Sequence, residues 1–306
     1  MALKFVFMVL PDTHLLDLAG PEQVINAAMG QGADFEISYC SVQKTITTSA
    51  GLTIARLPLY NTVQLNPGDY LIVAGAYTGY LLSDAFAGQH RLFSWIKNAK
   101  ERGVNLCSIC TGAFVLAYAG VLDGAPCTTH WQLTGKLQSR FKQLQVQPNV
   151  LYVKHANVYT SAGIVSGIDM MLAILEEIKG PYFAHKIARE LVVYNRRTGQ
   201  QQQQSEFLNY RNHLHTGIHQ VQDWLHQNLH KKTNLHTLAG IANMSQRNFT
   251  RVFKKETGVT VNEYVTTLRK EKIEELLKKP DLSRRQIAQH CGLKSERQVH
   301  RLMQLN

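Results

Sequence analysis

The sequence predicts an α/β domain, built on a mostly parallel sheet flanked by helices, followed by an all-α domain with two helix-turn-helix motifs. Three observations carry that prediction. Short, predominantly apolar segments alternate with helical stretches over the first two-thirds of the 306 residues, the pattern of strands buried on both faces. After residue 195 the strands stop and every periodic segment is helical. The charge changes at the same place: 14 Lys/Arg stand against 13 Asp/Glu up to residue 195, and 19 against 9 beyond it.

Taken in order, residues 3–10 (LKFVFMVL), 35–40 (FEISYC), 70–75 (YLIVAG) and 104–110 (VNLCSIC) are short, apolar and bounded by turn residues, so they are expected as strands. Helical spacing falls over 21–29, 92–102 and 113–119. A hairpin-like pair follows in 150–161, then a long helix over 164–178. Another helix over 181–194 opens with Pro181 at the favoured first helical position. These elements make one domain over 1–195. Residues 196–215, with five consecutive glutamines and no periodicity at the start, read as a linker of moderate flexibility.

Residues 216–306 form the helical domain. Ile218, Val221, Leu225 and Leu229 make one apolar stripe. Asn234 caps a helix over 235–242, Asn243 and Met244 turn the chain, and Ser245 caps a second helix that ends at Gly258. An amphipathic helix over 261–278, stopped by Pro280, leads to a second pair. There Ser283 caps one helix, Gly292 breaks it, and Ser295 caps the next. Burying Leu238, Ala239, Ala242, Phe249 and Phe253 between the first two helices leaves Gln246, Arg247, Asn248, Thr250 and Arg251 facing outward. Lys254 is then placed for a phosphate. Arg297, Gln298, His300 and Arg301 take the equivalent positions in the second pair. Arg, Asn and Gln are the side chains that read base edges, so the major groove of double-stranded DNA is the expected partner. A basic excess confined to the same residues points the same way.

Five cysteines without small-domain disulfide spacing fit a reducing compartment. The first apolar run breaks at Pro11 and lacks a small-residue cleavage site, so it reads as a strand and not a signal peptide. No segment reaches the ~18 apolar residues a membrane span needs. A cytoplasmic protein without a membrane partner is expected.

The chemistry of the first domain gathers at the strand carboxyl ends, where parallel sheets bind ligands. A strand runs into Cys110, and Thr111 and Gly112 open a helix. A side chain at such a turn stands above the sheet beside helix N-terminal amides, a setting that lowers a thiol pKa. Gly75 and Ala76 end another strand and are expected to supply a backbone donor, and Asp17 lies just after the first strand. Tyr77, Tyr80 and Trp131 offer aromatic surface to a cationic metabolite. Cys107 and Cys110 followed by Cys127 and His130 imitate zinc-ligand spacing, but Cys107 falls inside a buried strand. No metal and no cofactor are therefore expected.

The segments MSQRNFTRVFKKETGVTVNEYV, LRKEKIEELL and IAQHCGLKSERQVHRLM resemble the AraC family of regulators across about 218–303. That resemblance implies two recognition helices in successive major grooves, and a connector of about 18 residues spans about 27 Å against ~34 Å for one DNA turn. The family pattern continues with a Gly, a Pro and a final helix where this chain stops, so a C-terminal truncation is expected. SICTGAFVLA, TTHW and TSAGIVSGIDM resemble the PfpI-like branch of the class I glutamine-amidotransferase superfamily, over about 3–194. This implies a flavodoxin-like, PfpI-type fold in which Cys110 is the nucleophile-elbow cysteine, Asp17 its acidic neighbour and His130 the nearby histidine. Asp17 stands where a Glu is more common. The versions fused to AraC-type domains imply a homodimeric transcription regulator, not an enzyme. Its small-molecule effector, an amino acid or an amine, would bind about Gly75, Ala76, Thr111, Tyr77 and Trp131. The alternative is a cysteine-dependent hydrolase or hydratase-like enzyme using Cys110.

Overall fold

The computed structural model describes residues 2–193, 196–201, 203, 210–211, 213–231, 233–277 and 282–304. The chain forms two compact units, residues 1–203 and 204–306.

In the first unit, β1 (Leu3–Met8), β2 (Phe35–Cys40), β5 (Tyr70–Val73), β6 (Asn105–Ile109), β9 (Tyr152–His155) and β10 (Val158–Ser161) form one sheet. Their order is β2-β1-β5-β6-β10-β9. All neighbours pair in parallel except β9, which runs antiparallel to β10 at the edge. The inner strands are mostly apolar because both faces are covered, with Lys4, Asn105, Ser108, Thr160 and Ser161 as their polar exceptions. Phe5, Phe7, Ile72, Cys107 and Ile109 pack on one side with α1 (Leu15–Gly30), α7 (Ile164–Lys179) and α8 (Pro181–Glu190). Val6, Met8, Leu71, Val73 and Leu106 pack on the other. That layer comprises the one-turn α2 (Thr78–Leu81) and α3 (Asp84–Ala87) with α4 (His90–Glu101), α5 (Gly112–Tyr118) and α6 (Thr134–Arg140).

Three expectations are corrected. The first helix starts at Leu15, six residues before the Pro21 that local punctuation favours as its start. Pro21 has no N–H to give the Asp17 carbonyl, a loss that costs about 3 kcal/mol in an isolated helix. Here α1 is held by α7: a Cβ on Gly20 would meet Ile168 at 3.2 Å, and one on Gly167 would meet Pro21 at 3.2 Å. Two small ribbons escaped the sequence reading, β3 (Thr45–Thr47) with β4 (Thr53–Ala55), and β7 (Pro126–Cys127) with β8 (Gln145–Val146). Elements of two or three residues show no period. Finally, the stretch read as linker is not uniformly loose. Arg197 closes a salt bridge of 2.8 Å on the buried Asp169, and Gly199 and Gln201 accept hydrogen bonds from the Leu151 N–H. The helix expected over 181–194 ends at Glu190, with Leu191 as its C-cap, and residue 194, Pro280 and part of the glutamine run lie outside the described residues.

The second unit is helical. It contains α9 (Thr216–Gln227), α10 (Leu235–Ile241), α11 (Gln246–Thr257), α12 (Val261–Leu277), α13 (Arg284–His290) and α14 (Glu296–Gln304). Three side chains cap helices as the sequence suggests: Asn234, Ser245 and Ser283 accept from the N–H groups of Thr237, Asn248 and Gln286. Gly258 ends α11 in the left-handed conformation at φ +79°. Two separate cores form. The larger joins Ile218, Val221, Leu225, Leu238, Phe249, Phe253, Tyr264 and Leu268, and the smaller joins Ile273, Leu276, Ile287, Ala288, Cys291 and Val299. Among the described residues no helix is long and apolar enough to cross a membrane.

Candidate ligand pocket and nucleic-acid interface

Cys110 occupies the turn between β6 and α5 with φ +53°, a left-handed conformation that strains a non-glycine residue. The turn is tied down on three sides. The Cys110 N–H donates to the Ser161 carbonyl at 2.9 Å, and its own carbonyl accepts from Thr129 Oγ1 at 2.8 Å. Thr111 Oγ1 both accepts from the Ala76 N–H (2.8 Å) and donates to the Ala76 carbonyl (2.7 Å). Two glycines let the backbone approach: a Cβ on Gly112 would lie 2.3 Å from the Val73 carbonyl, and one on Gly75 would lie 2.3 Å from Asp17 Oδ2 and 3.1 Å from Cys110 Cβ.

Asp17 therefore meets Cys110 across Gly75. It sits in the first turn of α1 and not on a loop, because the helix begins earlier than expected, and it is buried with Oδ1 unpartnered. Burial pushes its carboxyl up to about 6, against which the hydrogen bond with Cys110 works weakly. The expectation of an activated thiol is corrected here. Burial and then the Asp17 carboxylate raise the Cys110 pKa, and the Thr111 amide of the helix terminus offsets this only in part. Near neutrality the thiol therefore keeps its proton, while the carboxyl, titrating at about 6, is mostly ionised. The expected second backbone donor is also taken: the Ala76 N–H is spent on Thr111.

His130 does not join this pair. Among the described residues no hydrogen bond links it to Cys110; burial lowers its pKa, and the charge that bears on it is that of His14. His14 has Nδ1 3.1 Å from Ser49 Oγ, its N–H donates to the Gly75 carbonyl, and burial lowers its pKa as well. No local sequence pattern singles out His14 or Thr129, which the fold brings beside Cys110 and Gly75. Of the aromatic residues, Tyr77 and Trp131 are exposed, whereas Tyr80 packs its ring 5.1 Å from Phe86 in the core. Gly75, Ala76 and Thr111 are thus joined by close backbone approach and hydrogen bonds beside Cys110, and Tyr77 and Trp131 are exposed. Cys107 and Cys127 belong to the cores on opposite faces of the sheet, which rules out the zinc spacing geometrically.

In the second unit, Gln246, Arg247, Thr250, Arg251 and Lys254 of α11 are exposed and Asn248 is half-buried. Arg251 donates to Asn248 Oδ1 at 2.9 Å, which pre-positions both side chains, while the Thr250 hydroxyl is turned back onto the Gln246 and Arg247 carbonyls. On α14, Arg297, His300 and Arg301 are exposed. Gln298 differs: its Oε1 accepts from the Lys294 N–H at 2.7 Å and so secures the helix start.

A family model described as the DJ-1/PfpI family matches residues 3–177, and one described as a helix-turn-helix domain matches residues 238–304. The HTH-type transcriptional regulator GbdR of Pseudomonas aeruginosa is 27% identical over 295 residues, covering 94% of this chain and 77% of that protein. An isonitrile hydratase of Pseudomonas putida is 28% identical, over 62% of this chain and 78% of the enzyme. Among solved structures, an AraC family transcriptional regulator from Pseudomonas putida superposes with a TM-score of 0.55 at 20% identity, over 62% of this chain and 99% of that one.

Proposed function

The chain belongs to the DJ-1/PfpI family and is a transcription regulator with an AraC-type helix-turn-helix domain, and on that premise we propose that a small metabolite bound at the Cys110 elbow controls its binding to DNA. The observation that carries the proposal is the elbow itself. A strained, half-buried Cys110 pairs with a buried Asp17, raised to about 6, whose Oδ1 has no hydrogen-bond partner among the described residues. An unpartnered buried oxygen is expensive, and a ligand donor, such as an ammonium or amide N–H, would satisfy it. Tyr77 and Trp131 would then present aromatic faces to a cationic or apolar portion of the ligand. The effector class that fits is an amino acid or a small amine.

On this reading the thiol need not act as a nucleophile. Its raised pKa and the lack, among the described residues, of a hydrogen bond to His130 favour recognition over turnover. Gln246, Arg247, Asn248, Arg251, Arg297, His300 and Arg301 would face the major grooves, Lys254 a phosphate. The protein would act in the cytoplasm as a homodimer on paired half-sites. A melting-temperature screen of the full chain against amino acids and quaternary amines tests the proposal, since a ligand of the folded state raises its stability. A stabilising compound should change affinity for a duplex selected with this chain, and Cys110→Ser should keep that response. A Cys110-dependent conversion of the compound, with the response following the product, would replace this reading by the enzymatic one.

A further inference from the structure

The strap that closes the first unit is held by two anchors of different kinds. Its start is pinned hard: the Arg197 N–H donates to Asp169 Oδ1 at 3.0 Å and Nε to Oδ2 at 2.8 Å, with the carboxylate buried in α7. Gly199 lies so close to β9 that a Cβ would come within 2.5 Å of the Tyr152 carbonyl. Its end is held, among the described residues, by neutral hydrogen bonds. Gln203 donates its N–H to Asn149 Oδ1 (3.1 Å), and its Nε2 to the Thr129 carbonyl (3.0 Å) and to Thr128 Oγ1 (3.2 Å).

Those two threonines also belong to the elbow. Thr129 Oγ1 donates to the Cys110 carbonyl, and both threonines are fully buried, with the Thr128 N–H fixed on Thr160 Oγ1 at 2.9 Å. His130 and the exposed Trp131 come next in the chain. A group placed on Cys110 or against Trp131 therefore bears on Thr129 from one side or the other, and the Thr129 carbonyl is what Gln203 grips. We infer that Thr128, Thr129 and Gln203 form a latch through which occupancy of the elbow docks or releases the last residues of the first unit, immediately before the DNA-binding unit begins. The inference rests on the reading of the elbow as a regulatory site. It also separates one glutamine from the rest of the run: Gln203 is a positioning residue, acting through Thr129.

The test uses the full chain and methyl methanethiosulfonate as the probe. The Cys110 thiolate displaces methanesulfinate and becomes a methyl disulfide, a small fixed occupant, and Cys110→Ser is the unreactive control. In the wild-type protein, modification should speed amide exchange at Gln203 roughly fivefold, the size of one neutral hydrogen bond, and shift affinity for a selected duplex. In Gln203→Ala, Cys110 should react at the wild-type rate while DNA affinity no longer responds to the modification. Gln203→Glu, which loses the Nε2 donor, should behave like Gln203→Ala. A Gln203→Ala chain that responds as the wild type does, or a wild-type strap whose exchange ignores the modification, overturns the inference. The probe needs no natural effector, so failure to find a stabilising metabolite and failure of the latch are separate results.

Discussion

Replacing Asp17 by Asn should stabilise the first unit, and more so as the pH rises. Asp17 is 1% exposed, and burial pushes its pKa from 3.8 to about 6. A carboxyl whose pKa is raised on folding favours the protonated folded state. Its contribution is therefore intact below the unfolded value and is lost as the pH climbs through about 6. The full difference of about two units corresponds to roughly 3 kcal/mol, of which about half is gone by pH 5 and the remaining ~1.5 kcal/mol goes between pH 5 and 8. Asn keeps the shape and cannot ionise. The stability gap between variant and wild type should thus widen by about 1–1.5 kcal/mol over that interval, or about 3–6 °C in melting temperature for a unit of this size. His14 and His130, whose pKa values are lowered by burial, impose the opposite slope, but on both chains equally. Urea titrations of the two proteins at matched pH, followed by a probe of the α/β unit, measure the gap. Parallel stability–pH curves would refute a buried Asp17 raised to about 6.

Three further outcomes are expected. Iodoacetamide should modify Cys110 slowly at pH 7 with a rate still rising above pH 9, and Asp17→Asn should accelerate it by removing the carboxylate that raises the thiol; mass spectrometry that finds a plateau below pH 8 would contradict this. Gly112→Ala should cost about 1–3 kcal/mol or more, because the new methyl would lie 2.3 Å from a backbone carbonyl that cannot give way; denaturation of the variant reads the loss. Arg251→Ala should weaken DNA binding by about 1–3 kcal/mol and relax specificity at one position, while Lys254→Ala should weaken all sequences alike. Binding to a panel of singly substituted duplexes tells the two apart, and uniform weakening by both would remove Arg251 from base reading.

What the sequence made legible was whatever local chemistry decides. Strands buried on both faces are predominantly apolar, so β1, β5 and β6 could be read directly, and the caps at Asn234, Ser245 and Ser283 are one-residue signals with one-residue causes. The start of α1 was misread because packing on α7 outweighs a proline's local preference. The Cys110 thiol was misjudged for a related reason: the helix amides are visible in the sequence, but burial and a carboxylate carried in from 93 residues earlier are not, and they win. Residues 196–203 looked like spacer by composition, yet their partners Asp169, Asn149 and Thr129 lie 28, 54 and 74 residues away in sequence. No local pattern encodes such contacts.

The sharing of α12 between two cores makes that helix a torsion rod. Val261, Tyr264 and Leu268 belong to the first core, Ile273 and Leu276 to the second, and Arg269 Nε holds the Cys291 carbonyl at 2.9 Å. Each residue added to an α-helix advances its end by about 1.5 Å and turns it by about 100°. One inserted alanine between Leu268 and Ile273 would therefore leave both small cores chemically complete while rotating one recognition helix about a quarter-turn out of phase with the other. Seven inserted residues would bring the phase back to within about 20° and lengthen the rod by about 10 Å. The angular setting of the two proposed DNA-reading surfaces is thus written in the count of residues along one helix, independently of which bases either surface would read.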